Sequence, residues 1–206
     1  MAGDFSAKPA GSIGWTSEVA SCEAALIERC LAGDDTAHAA LVFEHHRLVL
    51  GLATHLLGDR EEALDLSQEV FLRVFRTLHR FRGQSSLRTW IFRIVVNQVR
   101  NRQRWWRRRQ RSNQVSLDEH IRDHGDPPEQ NNGSSPERMF GQKLLAGQIS
   151  AALDHLPFDQ KTALVLREID GLSYEEIGFS LGVAVGTVKS RLARARESLR
   201  AQLRQI

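Results

Sequence analysis

Apolar residues recur along this chain at the three- and four-residue spacings that stack on one side of a helix, in two blocks separated by a stretch without such a pattern. In the first block, from Cys22 to about Arg107, Ala25, Leu26, Leu31, Leu41, Val42, Leu48 and Leu52 predict two helices, parted by a Gly33-Asp34-Asp35 turn in which Asp35 caps the second. Gly58-Asp59 ends that helix and caps another, whose stripe is Leu66, Val70, Phe71, Val74, Phe75 and Leu78. Arg82-Gly83-Gln84-Ser85-Ser86 breaks the pattern. A further helix carries Leu87, Trp90, Ile91, Ile94, Val95 and Val99. The β-branched run Ile91, Ile94, Val95 and Val96 argues for a strand, but the helical period on either side outweighs it.

From Asn113 to Pro136 the periodicity stops. This stretch holds three of the five prolines and five acids against one arginine, the composition of a linker without a core of its own. The second block resumes with Leu144, Ile149, Leu153 and Leu156, stopped by Pro157. Ala163, Leu164, Leu166 and Ile169 follow, stopped by Gly171, and two more helices come after. The expected fold is all-α: two helical domains joined by a flexible acidic linker. The expected boundaries are a disordered tail over 1–20, a first domain over 21–109, the linker over 110–136 and a second domain over 137–206.

Composition changes this picture little, but charge placement changes it a good deal. A hydrophobic fraction of 41% suits a folded chain, and no run approaches the roughly 18 apolar residues of a membrane span. The two cysteines, Cys22 and Cys30, match neither a zinc knuckle nor a redox pair and read as reduced thiols of a soluble, cytoplasmic protein. His38, His45, His46 and His55 tempt a metal reading, but they lack a matching cysteine and read better as scattered surface residues. Neither a cofactor nor enzymatic chemistry is expected. The net charge of +3 conceals two basic clusters. Seven of the twelve residues from Arg100 to Arg111 are arginine. From Lys189 to Arg204, six bases face one acid, Glu197. Local clusters of this kind recruit phosphate and release its counterions.

The C-terminal cluster lies in a recognisable arrangement. Ser173, followed three residues later by Glu176, is a capping box that starts a helix. Gly182 supplies a tight turn. Ile177, Leu181, Val183, Val188 and Leu192 are spaced to pack two short helices across it, which is helix-turn-helix logic. With Val188, Leu192, Ala195 and Leu199 turned inward, Lys189, Ser190, Arg191, Arg194 and Arg196 are left for solvent or for a DNA groove.

The other cluster interleaves arginine with Trp105 and Trp106, a combination suited to phosphate and unpaired bases. Phe81, Trp90 and Phe92 surround the Arg82–Ser86 break; Trp90 lies on the apolar stripe and reads as core. Asn97 and Asn101, one turn apart, either read a base edge or fill the surface.

These residues resemble a known family. Asp65-Leu66-Ser67-Gln68-Glu69-Val70-Phe71, then Phe81-Arg82-Gly83, Thr89-Trp90 and Arg93-Ile94-Val95-Val96-Asn97, are similar to the sigma-two domain of extracytoplasmic-function (ECF) sigma factors, of the sigma-70 family. Leu156-Pro157 through Arg196 is similar to their sigma-four domain. The resemblance implies a factor that binds core RNA polymerase and directs promoter-specific initiation. It implies that Asp65, Gln68, Glu69 and Phe71 meet the β-prime clamp helices, with the β flap as a second contact. Phe81, Arg82, Gly83, Ser85, Phe92, Arg93, Asn97, Arg100 and Asn101 are implied at the −10 element, where a base is flipped and the strands part. Thr187, Lys189, Ser190, Arg191 and Arg194 are implied at the −35 element. The linker would thread toward the polymerase active-site channel, and an anti-sigma factor is a further candidate partner. Two positions depart from the family pattern: Gly178 stands where Ala is usual and Ala184 where Pro is common. Gly178 alone would loosen its helix by up to about 1 kcal/mol. The rival reading is an autonomous, dimeric helix-turn-helix regulator acting without polymerase.

Overall fold

The computed structural model describes residues 17–112 and 147–204, so most of the expected tail and the whole Asn113–Pro136 linker lie outside the described residues. Among the described residues every regular element is helical. They are α1 (Ser17–Leu31), α2 (Asp35–Leu57), α3 (Arg60–Thr77), a 3-10 turn (Leu78–Arg80), α4 (Leu87–Ser112), α5 over 147–154, α6 (Phe158–Glu168), α7 (Tyr174–Leu181) and α8 (Val185–Leu203). The β-branched run expected on a helix is inside α4. No described helix is long and apolar enough to cross a membrane.

The chain divides into two compact units, 1–41 and 42–206. In the first, Gly33 takes a positive φ of 81° and turns the chain out of α1. The cap of α2 is Asp34, not Asp35. Its Oδ1 accepts from the backbone N–H groups of Thr36, at 2.8 Å, and Ala37, at 3.2 Å, while Arg29 Nε donates to Oδ2 at 2.8 Å. With the Thr36 hydroxyl, which donates to Oδ1 at 2.6 Å, four donors hold the Asp34 carboxyl well below the usual carboxylate range, the Thr36 hydroxyl the largest contributor and Arg29 next. Asp35 is already the first helical residue. Leu31, part of the expected stripe, is exposed.

In the second unit, Gly58 (φ 73°) ends α2, and Asp59 caps α3 by accepting from Glu62 N–H at 3.1 Å. The stripe of α3 is buried through Leu66, Val70, Phe71 and Val74. It packs on α4, whose Leu87, Ile91, Phe92, Val95, Val96 and Val99 are all buried. Ser86 opens α4 by accepting from Thr89 N–H at 3.1 Å. The later helices form a second cluster in which α6, α7 and α8 pack mutually through Ala163, Leu166, Ile177, Val188, Leu192 and Ala195. Ile149 and Ile169, expected on the inward stripes, are exposed instead, Ile149 in the first turn of α5 and Ile169 just past the end of α6. The two clusters also pack on one another, chiefly α4 against α7.

Candidate nucleic-acid interface

The helix-turn-helix forms as its local chemistry requires. Ser173 Oγ accepts from Glu176 N–H at 3.2 Å, and Glu176 Oε2 accepts from Ser173 N–H at 2.9 Å, closing the capping box. Gly182 ends α7 in the left-handed region, φ 67°. Gly178 has a reason of its own. A Cβ there would stand 2.9 Å from the Val183 carbonyl oxygen, so the bare glycine admits the turn that leads into α8. Its helix-propensity cost is thus tied to a close backbone approach, not simply a loosening of α7.

Thr187, Lys189, Ser190 and Arg194 are exposed on the first turns of α8. Lys189 Nζ sits 5.9 Å from the Tyr174 ring, which Arg167 also covers at 5.0 Å. Arg191 is turned away from this face. Its Nη2 donates to Asp159 Oδ2 at 2.8 Å, and its Nη1 is buried without a partner. Arg196 is likewise engaged, donating to Glu168 Oε1 at 2.6 Å.

On the first cluster, one face of α4 lines an open cleft of about 530 Å³ with α3 and the 3-10 turn. Trp90, Arg93, Ile94, Asn97, Gln98 and Asn101 come from α4, Arg73 and Thr77 from α3, and Arg80 from the turn. Three guanidinium groups and three amides thus converge on one concave surface, with the Phe81 ring set edge-on to Trp90 at 5.5 Å. Arg82 and Gly83 are exposed in the following loop, where Gly83 takes φ 65°, and Ser85 is half-buried. Asn97 and Asn101, left open between base reading and surface filler, are both exposed and both line this cleft. Trp90 is half-buried at its edge rather than in the core. Sequence reasoning did not find Gln98, nor Arg73, Thr77 and Arg80, whose approach depends on how α3 and the 3-10 turn meet α4.

Two expected contacts are withdrawn from the surface. Phe92, expected at DNA, is 1% exposed and packed in the core, with the Arg88 guanidinium 5.3 Å above its ring. Phe71, expected at polymerase, is also buried, at 6%. Each side chain points to the apolar side of its helix, which the periodicity of each stripe had already allowed. Arg100 leaves the cleft side and donates to Asp159 Oδ1 at 3.2 Å, over the Phe158 ring at 5.6 Å. Trp105 and Trp106 remain exposed, with Arg109 stacked 5.0 Å from Trp105.

The remaining face of α3 is amphipathic in the other direction. Asp65, Gln68 and Glu69 are exposed on it, and Leu72, which sequence reasoning overlooked, is 56% exposed beside them. Arg102 of α4 bridges Glu62 Oε2 and Glu69 Oε1, both at 2.7 Å, and so ties this face to the cleft helix. Among the described residues no group of three His, Cys, Asp or Glu side chains is arranged to hold a metal. His45, expected at the surface, is 5% exposed, and burial lowers its pKa.

Among the described residues, a capped helix-turn-helix and a second cationic, amide-lined cleft on an all-helical scaffold suit a nucleic-acid ligand. Comparison with known proteins narrows this. Residues 41–112 match the family model described as Sigma-70 region 2, and residues 146–199 match Sigma-70, region 4. The RNA polymerase sigma-H factor of Pseudomonas aeruginosa is 37% identical over 174 residues, covering 84% of this chain and 90% of its own. The ECF RNA polymerase sigma-E factor of Escherichia coli K12 is 36% identical over 176 residues, covering 84% and 90%. Among solved structures, the sigma factor RpoE in complex with the anti-sigma factor NepR from Bartonella quintana matches with TM-score 0.65 at 25% identity, over 81% of this chain and 96% of that one. CnrH in complex with the cytosolic domain of CnrY shares the fold, with TM-score 0.63 at 23% identity over 89% and 97%.

The chain belongs to the extracytoplasmic-function sigma factors of the sigma-70 family, and so is an RNA polymerase sigma factor that directs promoter-specific initiation. The autonomous-regulator reading is not favoured, since it has no use for a sigma-70 region 2.

Proposed function

We propose that the two regions divide promoter reading between them, with the α4 cleft taking unpaired −10 bases and the start of α8 entering the major groove at the −35 element. The observation that carries this is the cleft itself. Asn97 and Asn101 offer donor and acceptor amides to a base edge, Arg73, Arg80 and Arg93 offer charge to the strand, and Phe81 and Trp90 offer a stacking surface. At the other site, Thr187, Lys189 and Ser190 are exposed early in α8, the part of such a helix that meets base edges, and Arg194 is exposed further along it. Arg82, Gly83 and Ser85 stand next to the cleft in a loop that would border the flipped base. Arg100 and Arg191 join these sets once released from Asp159.

The exposed Asp65, Gln68, Glu69 and Leu72 face of α3 would dock on the β-prime clamp helices, with the region 4 module on the β flap. The protein would then act in the cytoplasm as a non-catalytic subunit of the polymerase, requiring no cofactor of its own. An anti-sigma partner is supported by the solved complex of the relative bound to NepR. Tethering both modules to one polymerase raises the effective concentration of each for its element, so weak single contacts suffice.

The test is reconstituted transcription with core polymerase on a promoter recovered by sequencing transcripts after overexpression. Arg191→Ala is expected to weaken −35 recognition by about 1–3 kcal/mol, whereas Asn97→Ala reduces open-complex formation with −35 affinity retained. Full activity in both variants would refute the assignment.

A further inference from the structure

Arg102 stands apart from the arginines that follow it on α4. Arg104, Arg107, Arg108 and Arg109 are exposed, whereas the Arg102 side chain is 19% exposed and lies against α3. Its Nη1 donates to Glu62 Oε2 at 2.7 Å and to the Glu62 carbonyl at 3.2 Å, and its Nη2 donates to Glu69 Oε1 at 2.7 Å. Glu62 and Glu69 are separated by two turns of α3 and so stand on one side of that helix. Asp65 falls between them on the same row, and Leu72 continues it. Carboxylates spaced in this way repel one another. A guanidinium, with its nitrogens in a rigid fork, is the cation that can hold two of them at once. The Glu69 side chain is nonetheless 52% exposed, and a carboxylate accepts more than one donor, so Glu69 is held and still open to a second cation.

We propose that Arg102 is a positioning residue for docking on core polymerase: by bracing Glu62 and Glu69 it presents the Glu69 carboxylate, beside Asp65, to a cationic group of the polymerase. The inference rests on the reading of the Asp65, Gln68, Glu69 and Leu72 face as the docking face. Its physical basis is preorganisation. An unbraced glutamate gives up side-chain freedom when it meets a partner, whereas Glu69 has given it up before docking. Arg102 also cancels part of the negative charge that would attract a cation, and the two effects oppose. Placement wins at physiological salt, where attraction beyond about 8 Å is screened, while a charge-assisted hydrogen bond depends on where the oxygens stand. Arg102 thus belongs to the helix that lines the cleft, but its guanidinium serves the face of α3.

The experiment measures competition for purified core RNA polymerase between each unlabelled full-length variant and the parent chain carrying a dye on the exposed Cys22. At about 0.15 M salt, Arg102→Ala should bind about fivefold more weakly than the parent chain. Arg102→Lys keeps the charge but cannot span two carboxylates, and should lose nearly as much. Double variants separate positioning of Glu69 from a general loosening of α3 against α4. With Glu69→Ala already present, Arg102→Ala should weaken binding by less than a further factor of about two. With Asp65→Asn present it should still weaken binding about fivefold. Parent-like binding by Arg102→Ala or Arg102→Lys overturns the proposal, and so does a full fivefold loss, about the size of the single-variant effect, in the Glu69→Ala chain. In each of those cases, weakened binding by Glu69→Ala alone leaves the docking face standing. Core affinity unchanged in both Glu69→Ala and Asp65→Asn removes the docking face itself, and the role of Arg102 with it.

Discussion

Asp170, in the turn after α6, has a buried Oδ2 with no hydrogen-bond partner. Arg88 donates to its carbonyl rather than to its carboxylate, and burial pushes the carboxyl from 3.8 up to about 6 against the weaker pull of Arg88. A carboxyl whose folded pKa lies above its unfolded one holds its proton more tightly in the folded chain. Its favourable contribution is complete below about pH 4 and is lost as pH climbs through about 6. Asp170→Asn should therefore stabilise the chain by about 1–2 kcal/mol at pH 8, and the two chains should converge below pH 4 in denaturant titrations. A constant difference at every pH would contradict the buried carboxyl. Nothing in the sequence around Asp170 marked it, because its burial depends on what α4 brings against that turn.

At the scale of the element, α3 and α4 each carry two faces with different tasks. The buried side of α3 is Leu66, Val70 and Val74, and the outer side sets Leu72 one turn beyond Gln68 and Glu69. Leu72→Asp should cut affinity for core polymerase by at least about tenfold, while thermal stability changes by less than about 0.5 kcal/mol, as for an exposed position. Core-binding and melting measurements on the one variant check both parts. On α4 the apolar stripe was legible from spacing, and so was the amide pair Asn97 and Asn101. The arginines that complete their cleft were not, since Arg73 and Arg80 come from another helix and a turn. Phe92 illustrates the converse error. Resemblance marked it as a DNA contact, while its place on the apolar side of α4 kept it in the core.

At the scale of the molecule, the second cluster is seated on the first by a buried charge. Lys161, 6% exposed, donates to Asp154 Oδ1 at 2.6 Å and reaches the Leu56 carbonyl at 3.5 Å. Removing one member of a buried pair leaves the other's charge less compensated, so Lys161→Ala should cost about 3 kcal/mol. Lys161→Ala with Asp154→Asn should recover part of that loss, which equilibrium unfolding of both chains will register. This contact and the Asp159 bridge to Arg100 both link the two regions, the first buried and the second half-exposed.

The order of helices, the capping box at Ser173 and Glu176, the glycine turns and the two basic clusters all follow from short-range rules: 3.6-residue periodicity, backbone N–H groups seeking caps, and positive φ at Gly58 and Gly182. Those rules act within a few residues, so they can be read along a line. Which arginines reach DNA and which reach Asp159, which amides share a concave wall, and which carboxyl loses its water depend on residues far apart in the chain meeting in space. Arg100 and Arg191 had the same chemistry as their neighbours in sequence. Only the packing of α4, α6 and α8 gave them a common partner.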